Sequence, residues 1–291
     1  MKVIDGKTVA ESIKGQLKLK VESLIEKDIH PHLVAILVGD DGASQTYVAA
    51  KEKACSEVGI ISTIYKFESD VTEDELLKTI GFLNNDPDVH GMIVQLPLPA
   101  HISVDKVMAT IVPEKDVDGF HAVNVGRMAL GLPSYLPATP NGVLELLKFY
   151  NISTEGKHCV VLGRSNIVGM PVSLMMGQKK YPGNATVTLC HSKTPNIKEH
   201  TLQADILIVA IGQPEYVKAD MVKEGSVVID VGIHRIPDAS KKSGFRLVGD
   251  VDFQAVAEKC SFITPVPGGV GPMTIVSLLM NTVNAASGEG Y

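Results

Sequence analysis

The segment Cys159–Pro171, CVVLGRSNIVGMP, decides the fold of this chain. It is an apolar strand pattern that runs into a glycine turn and then into the start of a helix. In a dinucleotide-binding fold this order places backbone N–H groups and a helix N-terminus at a pyrophosphate. The spacing of Gly163, Ser165 and Gly169 is G-x-S-x-x-x-G, which departs from the usual G-x-G-x-x-G pattern. The alternative is a glycine-rich turn that serves packing only.

Apolar, β-branched runs alternate with amphipathic stretches on both sides of this segment, which is typical of parallel sheets built from βαβ units. The runs predict strands at Leu33–Val38, Ile61–Phe67, Gly91–Gln95, His158–Leu162, Ala185–Cys190, Ile206–Ile211, Ser226–Val231 and Ser261–Thr264. The amphipathic stretches predict helices at Ala43–Val58, Thr72–Asn84, Val104–Ile111, Asn141–Tyr150 and about Met273–Ala285. Between residues 96 and 142 the chain is rich in Pro and Gly, and we expect only the short helix near Val104–Ile111 there.

The predicted fold class is α/β with two domains and a catalytic cleft between them. A chain of 291 residues is long enough for two cores. The first domain, an α/β domain with a parallel sheet, is predicted to cover residues 1–140. The last helix is too apolar to stand alone in water, so residues from about 273 to 291 are expected to complete this domain. Residues 141–272 are predicted to form a Rossmann-like domain, and the glycine-rich tail Ser287–Tyr291 is expected to be disordered.

Composition excludes several classes of protein. The net charge of −6 and the absence of Trp disfavour nucleic-acid binding. The longest apolar runs have seven or eight residues, against the roughly 20 that a membrane span needs. The four cysteines form no C-x-x-C pair and the nine histidines no H-E-x-x-H motif, so no metal site is predicted. We therefore expect a cytoplasmic enzyme in a reducing compartment.

The residues after the second strand of the Rossmann-like domain bear on which nucleotide it prefers. An NAD-preferring fold usually carries Asp or Glu there, to bind the ribose 2′-hydroxyl. Here Cys190 is followed by His191, Ser192 and Lys193, and Arg164 adds a second cation in the glycine turn. A missing carboxylate and an available guanidinium favour a 2′-phosphate, so the sequence favours NADP over NAD. The alternative for Lys193 is a solvated loop charge.

A second motif, ASQTYVAAKEKA, places Ser44, Tyr47 and Lys51 on one face of a predicted helix. The simplest interpretation is a half-buried aromatic side chain beside a surface lysine. For Lys51 to act as an acid or base, burial or a nearby cation would have to lower its pKa. Short-chain dehydrogenases use a similar Tyr and Lys, but their nucleotide loop comes first, whereas here it follows Tyr47 by more than 110 residues.

Seven segments together are more specific than either motif. In chain order they are VGDDGASQTYVAAKEKACSEVGI, VQLPLP, PEKDVDGFHAVNVGR, PATPNGVLELL, GRSNIVGMP, TVTLCHSKT and TPVPGGVGPMT. In these segments the chain closely resembles the bifunctional methylenetetrahydrofolate dehydrogenase/cyclohydrolase family, from about Met1 to Ala285. The resemblance implies tetrahydrofolate derivatives as substrates, NADP as cofactor and a homodimer. It also implies oxidation of methylenetetrahydrofolate to the methenyl form, followed by hydrolysis to 10-formyltetrahydrofolate.

By this resemblance, four residues carry the chemistry. Tyr47 would stack on the aminobenzoyl part of the folate, and Lys51 would be the acid/base, chiefly for hydrolysis. Gln95 would hydrogen-bond Lys51 and tune its protonation. Asp118 would bind the donor edge of the pterin, because a carboxylate accepts two parallel hydrogen bonds. Without the resemblance, Asp118 would be interpreted as a turn former before Gly119.

The remaining predicted residues belong to two binding sets. The cofactor set is Gly163, Arg164, Ser165, Ile167, Val168, Gly169, His191, Ser192, Gly212 and Ile233. The substrate set is Ser44, Tyr47, Lys51, Gln95, Leu96, Asp118, Pro267, Gly268, Gly271 and Pro272. Gly271 and Pro272 have the alternative role of capping the last helix. Two rival functions stay open: a dehydrogenase that has lost the hydrolysis step, and an inactive nucleotide-binding module used for assembly.

Overall fold

In the computed structural model, which describes residues 1–241 and 244–291, strands and helices alternate along the chain. The strands are β1 (Lys2–Val3), β2 (His32–Val38), β3 (Ile61–Phe67), β4 (Gly91–Val94), β5 (His158–Leu162), β6 (Thr186–Cys190), β7 (Ile206–Val209), β8 (Val227–Asp230), β9 (His234–Pro237), β10 (Phe245–Val248) and β11 (Phe262–Ile263). The helices are α1 (Gly6–Ile25), α2 (Gly42–Val58), α3 (Glu73–Asn85), α4 (Val104–Thr110), α5 (Ala122–Ala129), α6 (Ala138–Phe149), α7 (Gly169–Gly177), α8 (Ile197–Thr201), α9 (Phe253–Ala257) and α10 (Val270–Ser287). Short 3₁₀ turns cover Pro113–Lys115 and Ala219–Met221.

The chain divides into two compact units, each formed by two separate stretches of sequence. The six-stranded unit consists of residues 1–10 and 139–274, and the three-stranded unit of residues 11–138 and 275–291. The predicted first domain, residues 1–140, differs from this division at the amino terminus. Residues 1–10 group with the six-stranded unit because β1 pairs in parallel with β11, with Lys2 opposite Phe262.

In the six-stranded unit the strand order is β1-β11-β8-β7-β5-β6, and all these pairs are parallel. Every residue of β7 and β8 is buried, as expected for a parallel sheet that is covered on both faces. Strand β5 has β6 on one side and β7 on the other. The chain therefore reverses its direction of winding at β5, and ligands of such sheets bind at the carboxyl ends of the strands beside that point.

In the three-stranded unit the order is β3-β2-β4, also parallel. Alternate residues of β2 enter two cores. Leu33, Ala35 and Leu37 pack with residues from α1, α2 and α10. Val34, Ile36 and Val38 pack with residues from α3 and α4. The two buried faces explain why β2 is an unbroken apolar run rather than an alternating one.

Several predicted elements are confirmed and others need correction. Strands β3 and β5 occupy the predicted residues, Ile61–Phe67 and His158–Leu162. The expectation of only one short helix between residues 96 and 142 is wrong, because α5 forms at Ala122–Ala129. Its start is capped by His121, whose Nδ1 accepts a hydrogen bond from the N–H of Val123 at 3.1 Å.

The carboxyl-terminal residues pack on the three-stranded unit, contrary to the predicted disorder of residues 287–291. The Tyr291 hydroxyl donates a hydrogen bond to Asn124 Oδ1. The ring centroid of Tyr291 lies 5.4 Å from that of Tyr135 and 4.7 Å from the guanidinium carbon of Arg127. An aromatic anchor with three partners outweighs the low ordering tendency of the neighbouring glycines. Across residues 1–241 and 244–291, no helix combines the length and apolar character that crossing a membrane requires.

Candidate functional site

The turn between β5 and α7 requires glycine at two positions. Gly163 has φ +109°, and a Cβ there would lie 2.0 Å from the carbonyl oxygen of Ala210. A Cβ on Gly169 would lie 1.9 Å from the carbonyl oxygen of Gly163. The bare backbone thus lets the turn pack directly against the end of β7 and the start of α7. Ser165 Oγ accepts a hydrogen bond from the N–H of Val168 at 3.1 Å, which orders the loop before the helix.

A cavity of about 400 Å³ opens at the carboxyl edge of this sheet. It is lined by residues that follow β5, β6 and β7, the three strands around the point where the winding reverses. Among the predicted cofactor residues, the structure places Gly163, Arg164, Ser165, His191 and Ser192 in its lining. The other five predicted residues, Ile167, Val168, Gly169, Gly212 and Ile233, are not in that lining.

The electrostatic character of this cavity suits a phosphate. Arg164 is exposed and makes no ion pair with any described residue. No Asp or Glu belongs to the lining formed by the described chain. The turn after β6 is fixed by backbone N–H groups: His191 donates to Thr194 Oγ1 at 2.9 Å, and Lys193 donates to His191 Nδ1 at 3.2 Å. The Arg164 guanidinium, two serine hydroxyls and a glycine turn fit a phosphorylated dinucleotide.

A second group of predicted residues lies on α2 of the three-stranded unit. The helix is capped by Asp41, whose Oδ2 accepts a hydrogen bond from the N–H of Ser44 at 2.7 Å. Tyr47 and Lys51 follow on one face, with Lys51 Nζ 4.8 Å from the Tyr47 ring centroid. Lys51 is only 5% exposed. It is therefore not the surface lysine of the simplest interpretation.

Gln95, the residue that directly follows β4, faces this amine. Its Oε1 accepts a hydrogen bond from Lys51 Nζ at 3.3 Å. Its Nε2 donates to the carbonyl oxygen of Leu96 at 2.8 Å. This second bond fixes the orientation of the amide, so that its oxygen is directed at the lysine.

Burial shifts the pKa values of Lys51 and Asp118 in opposite directions, and in both cases it favours the uncharged form. Loss of solvent lowers the pKa of the Lys51 amine, and the Asp118 carboxylate partly opposes this shift. Loss of solvent also raises the pKa of the Asp118 carboxyl, which the Lys51 ammonium opposes. An amine with a lowered pKa is able to accept and return a proton nearer to neutral pH than a solvated lysine.

The loop that carries Asp118 is held by its neighbours. Asp116 is buried and accepts hydrogen bonds from the N–H of His121 at 2.7 Å and from Asn124 Nδ2 at 2.9 Å. Burial raises the pKa of Asp116 to about 6. Gly119 turns the chain with φ +74°. Asp118 is thus set in a fixed turn, as its structural interpretation before Gly119 requires.

The remaining predicted substrate residues, Pro267, Gly268, Gly271 and Pro272, belong to the six-stranded unit. Gly268 has φ +106°, and its carbonyl oxygen accepts a hydrogen bond from the N–H of Gly6 at 2.9 Å. A Cβ on Gly6 would lie 1.8 Å from the carbonyl oxygen of Gly269. The first residues of α1 therefore brace this loop. Gly271 and Pro272 fall in the first turn of α10, as their alternative role requires.

Sequence reasoning missed two buried aspartates at the carboxyl edge of the six-stranded sheet, Asp230 and Asp250. The available signal was the run of apolar residues before each one, followed or preceded by a glycine. Within the described ranges, no group of three or more His, Cys, Asp and Glu residues is arranged to hold a metal ion.

A parallel sheet with a glycine turn and a cationic cavity at its winding reversal, in a chain that also buries a lysine amine, defines an NAD(P)-dependent enzyme. The sequence matches two family profiles: "Tetrahydrofolate dehydrogenase/cyclohydrolase, catalytic domain" over residues 4–118, and "Tetrahydrofolate dehydrogenase/cyclohydrolase, NAD(P)-binding domain" over residues 137–289. The chain belongs to the tetrahydrofolate dehydrogenase/cyclohydrolase family, as its motifs predicted.

Individual relatives agree with this assignment over the full length. The chain is 62% identical to the bifunctional protein FolD of Bacteroides thetaiotaomicron, with all of both chains covered. Its structure is similar to that of the bifunctional FolD methylenetetrahydrofolate dehydrogenase/cyclohydrolase of Campylobacter jejuni, with a TM-score of 0.93, 52% identity and 99% of each chain covered. It is also similar to the FolD enzyme of Trypanosoma brucei in complex with NADP and an inhibitor, with a TM-score of 0.92, 40% identity and 98% and 97% of the two chains covered.

Proposed function

We propose that this chain catalyses two successive reactions: the NADP-dependent oxidation of 5,10-methylenetetrahydrofolate to 5,10-methenyltetrahydrofolate, and the hydrolysis of that product to 10-formyltetrahydrofolate. The main support for the hydrolysis reaction is the buried Lys51 amine, which donates a hydrogen bond to Gln95 at 3.3 Å. The first reaction is supported by the cationic cavity beside β5. Together they would interconvert the one-carbon units that are used in pathways such as purine biosynthesis.

The six-stranded unit would hold the nucleotide. Bound NADP supplies the hydride acceptor, so oxidation needs no nucleophile from the protein. Arg164 would pair with the 2′-phosphate, and Ser165 and Ser192 would donate hydrogen bonds to phosphate oxygens. These assignments rest on the lining of the cavity and on the absence of an ion pair between Arg164 and any residue the structure describes. Ile233 is 62% exposed and would offer apolar contact area at the same edge.

The three-stranded unit would hold the folate. Tyr47 would stack on the aminobenzoyl ring, and Asp118 would accept hydrogen bonds from the amino-pyrimidinone edge of the pterin. Asp118 suits this role because its turn is fixed through Asp116 and Gly119. Further contacts to the folate are proposed for Ser44, Leu96, Pro267, Gly268, Gly271 and Pro272.

Lys51 would manage the protons of the hydrolysis step. Its neutral amine takes a proton from water while the water oxygen bonds to the methenyl carbon. The resulting ammonium then gives a proton to N5 as the bond between that carbon and N5 breaks. The hydroxyl that came from water releases its remaining proton to solvent, so that a carbon–oxygen double bond forms and the formyl group stays on N10. Gln95 would keep the amine oriented in both states because an amide oxygen accepts from either form.

A spectrophotometric assay tests both reactions together. With methylenetetrahydrofolate and NADP we expect the methenyl product to appear and then to decay faster than in buffer alone. With NAD we expect a slower first phase. A methenyl product that accumulates and decays only at the buffer rate would identify a dehydrogenase without hydrolysis, and no product with either nucleotide would favour an inactive binding module.

We further propose a homodimer in the cytoplasm. Twofold dimers are the commonest assemblies among soluble oligomers. The four cysteines are free and buried, as expected in a reducing compartment. Light scattering coupled to size-exclusion chromatography would measure the mass directly; a monomer mass of 31.1 kDa at micromolar concentration would contradict the dimer.

A further inference from the structure

Asp250 follows β10 in the six-stranded unit and is fully buried. Its Oδ2 accepts hydrogen bonds from the N–H groups of Ile211 at 2.8 Å and Gly212 at 3.1 Å. Its Oδ1 accepts from the N–H of Gln213 at 2.8 Å and lies 2.7 Å from His234 Nε2, which donates because a carboxylate only accepts. One carboxylate therefore binds three consecutive N–H groups of the loop after β7, and a side chain of β9.

Asp230, the last residue of β8, accepts hydrogen bonds from the backbone around Asp250. Its Oδ1 accepts hydrogen bonds from the N–H groups of Gly232 at 2.9 Å and Asp250 at 3.0 Å. Its Oδ2 accepts from the N–H of Val251 at 2.9 Å. The Asp230 carboxylate therefore holds the backbone around Asp250. We call Asp230 and Asp250 the aspartate pair.

Two glycines make room for this arrangement. A Cβ on Gly249 would lie 1.9 Å from Asp230 Oδ2, and a Cβ on Gly232 would lie 2.4 Å from the carboxyl carbon of Asp250. Neither position accepts a side chain while the carboxylates stay where they are. Burying two carboxylates is costly unless every oxygen is hydrogen-bonded, and here each oxygen has at least one N–H partner.

The loop that the pair holds forms a wall of the cavity. Ile211 and Gln213 both line the 400 Å³ cavity that also contains Arg164. Gly212 between them has φ +70°, and a Cβ there would have no atom within 4 Å. Glycine at that position is therefore favoured by the backbone conformation of the loop and not by packing against described residues.

We propose that Asp250 is a positioning residue for the dinucleotide, an inference that rests on the proposed function. By binding the N–H groups of residues 211–213 it fixes the cavity wall before the nucleotide arrives, so that binding does not have to order this loop. Asp230 acts one step further back, by fixing the backbone of Asp250. Both aspartates belong to the six-stranded unit, whereas Lys51 belongs to the three-stranded unit, so we expect their loss to leave the hydrolysis chemistry intact.

The test is the substitution Asp250→Asn, with two readouts. An amide keeps one acceptor oxygen but puts an NH₂ group against backbone N–H groups, so the wall loses its support. We expect the Kd for NADP, measured by calorimetry without folate, to rise at least tenfold. The rate of methenyltetrahydrofolate hydrolysis, measured without nucleotide, should stay within twofold of the parent. The control Asp220→Asn removes the same charge at an exposed site paired with Lys198, and should leave both values unchanged.

A substitution pair at His234 keeps the proposal testable if Asp250→Asn fails to fold. His234→Leu removes one donor to Asp250 and should raise the Kd for NADP severalfold. His234→Gln restores a donor amide and should return the Kd close to the parent value. A parent-like Kd in folded Asp250→Asn, or equal Kd values in the two His234 variants, would overturn the proposal. If the parent binds NADP but shows neither reaction, the proposed function fails while this comparison still decides the role of Asp250.

Discussion

Lys51 Nζ donates its hydrogen bond to the neutral Gln95 Oε1, 3.3 Å away, and not to a carboxylate. This choice of partner has a consequence for protonation. A carboxylate at that distance would hold the lysine in its charged form, whereas an amide orients the amine without adding a charge. Burial then lowers the pKa of Lys51. The negative charge of Asp118, which is not hydrogen-bonded to the amine, is the chief influence that opposes this lowering. The pair therefore combines a fixed geometry with an amine that is easily deprotonated.

The substitution Lys51→Met tests the proton transfer directly. Methionine preserves most of the buried volume but has no amine, so we expect hydrolysis of methenyltetrahydrofolate to fall by at least 10²-fold, the usual contribution of a positioned acid/base. The Kd for NADP should stay near the parent value because the cavity with Arg164 belongs to the other unit. Parent-rate hydrolysis in this variant would remove Lys51 from the mechanism; Lys53→Met, an exposed neighbour on α2, is the matched control.

The substitution Gln95→Glu should change the pH dependence of hydrolysis. A carboxylate in place of the amide favours the charged form of Lys51, so its lowered pKa should rise again. The neutral amine, which acts as the base, is then populated only at higher pH, and the acid side of the pH–rate profile should move upward. Gln95→Met, which removes the hydrogen bond without adding a charge, should not move it upward. An unchanged or downward-shifted profile for Gln95→Glu would contradict the assignment of Lys51 as the base.

The substitution Arg164→Ala should separate the two nucleotides. If the guanidinium pairs with a 2′-phosphate, its loss should weaken NADP by roughly tenfold to a hundredfold, as expected for a charge-assisted contact. NAD carries no such phosphate and should be affected much less. Steady-state KM values for both nucleotides measure the difference, with the exposed Lys241→Ala as a control for general loss of positive charge. Equal losses for NADP and NAD would show that Arg164 serves another purpose.

Two glycines of α1 should respond in opposite directions to alanine. At Gly6 the new Cβ would lie 1.8 Å from the carbonyl oxygen of Gly269, so Gly6→Ala should lower the free energy of unfolding by about 1–3 kcal/mol. At Gly15 a Cβ meets no atom within 4 Å, so Gly15→Ala should raise it by roughly 0.5–1 kcal/mol through helix propensity. Urea unfolding of both variants measures the contrast. A Gly6→Ala protein as stable as the parent would mean that the 268–269 loop can move away from the new methyl group at little cost in free energy.

The parts of the fold that were predicted are those in which local sequence and burial agree. Strands such as Ile61–Phe67 and His158–Leu162 are short β-branched runs, and parallel pairing buries such runs as a whole. Helix α1 was not predicted, although Val9, Ile13 and Leu17 repeat at helical spacing. The antiparallel pair β9 and β10 carries a weaker signal, because each strand is four residues long and mostly half-buried or exposed.

Contacts within the candidate site were predictable from spacing only where both residues lie in the same segment of the chain. Tyr47 and Lys51 share a helix, so their spacing placed them on one face, as the structure confirms. The contact between Lys51 and Gln95 joins α2 to the end of β4, and here the family resemblance supplied what spacing could not. Asp250 was missed because its partners at residues 211–213 lie more than 35 positions away, so the apolar residues and the glycine before it did not by themselves identify what it binds.

The pairing of β1 with β11 constrains how the protein is made. Lys2 and Phe262 are opposite one another in the sheet, so β1 has no partner until the ribosome has synthesised the chain as far as β11. At typical rates of synthesis that delay is on the order of tens of seconds. During this time the exposed edge could pair with other chains, and its two-residue length and Lys2 side chain both limit that risk. Strand β1 is thus synthesised long before β11 and reaches its place in the sheet only after β11 has been made.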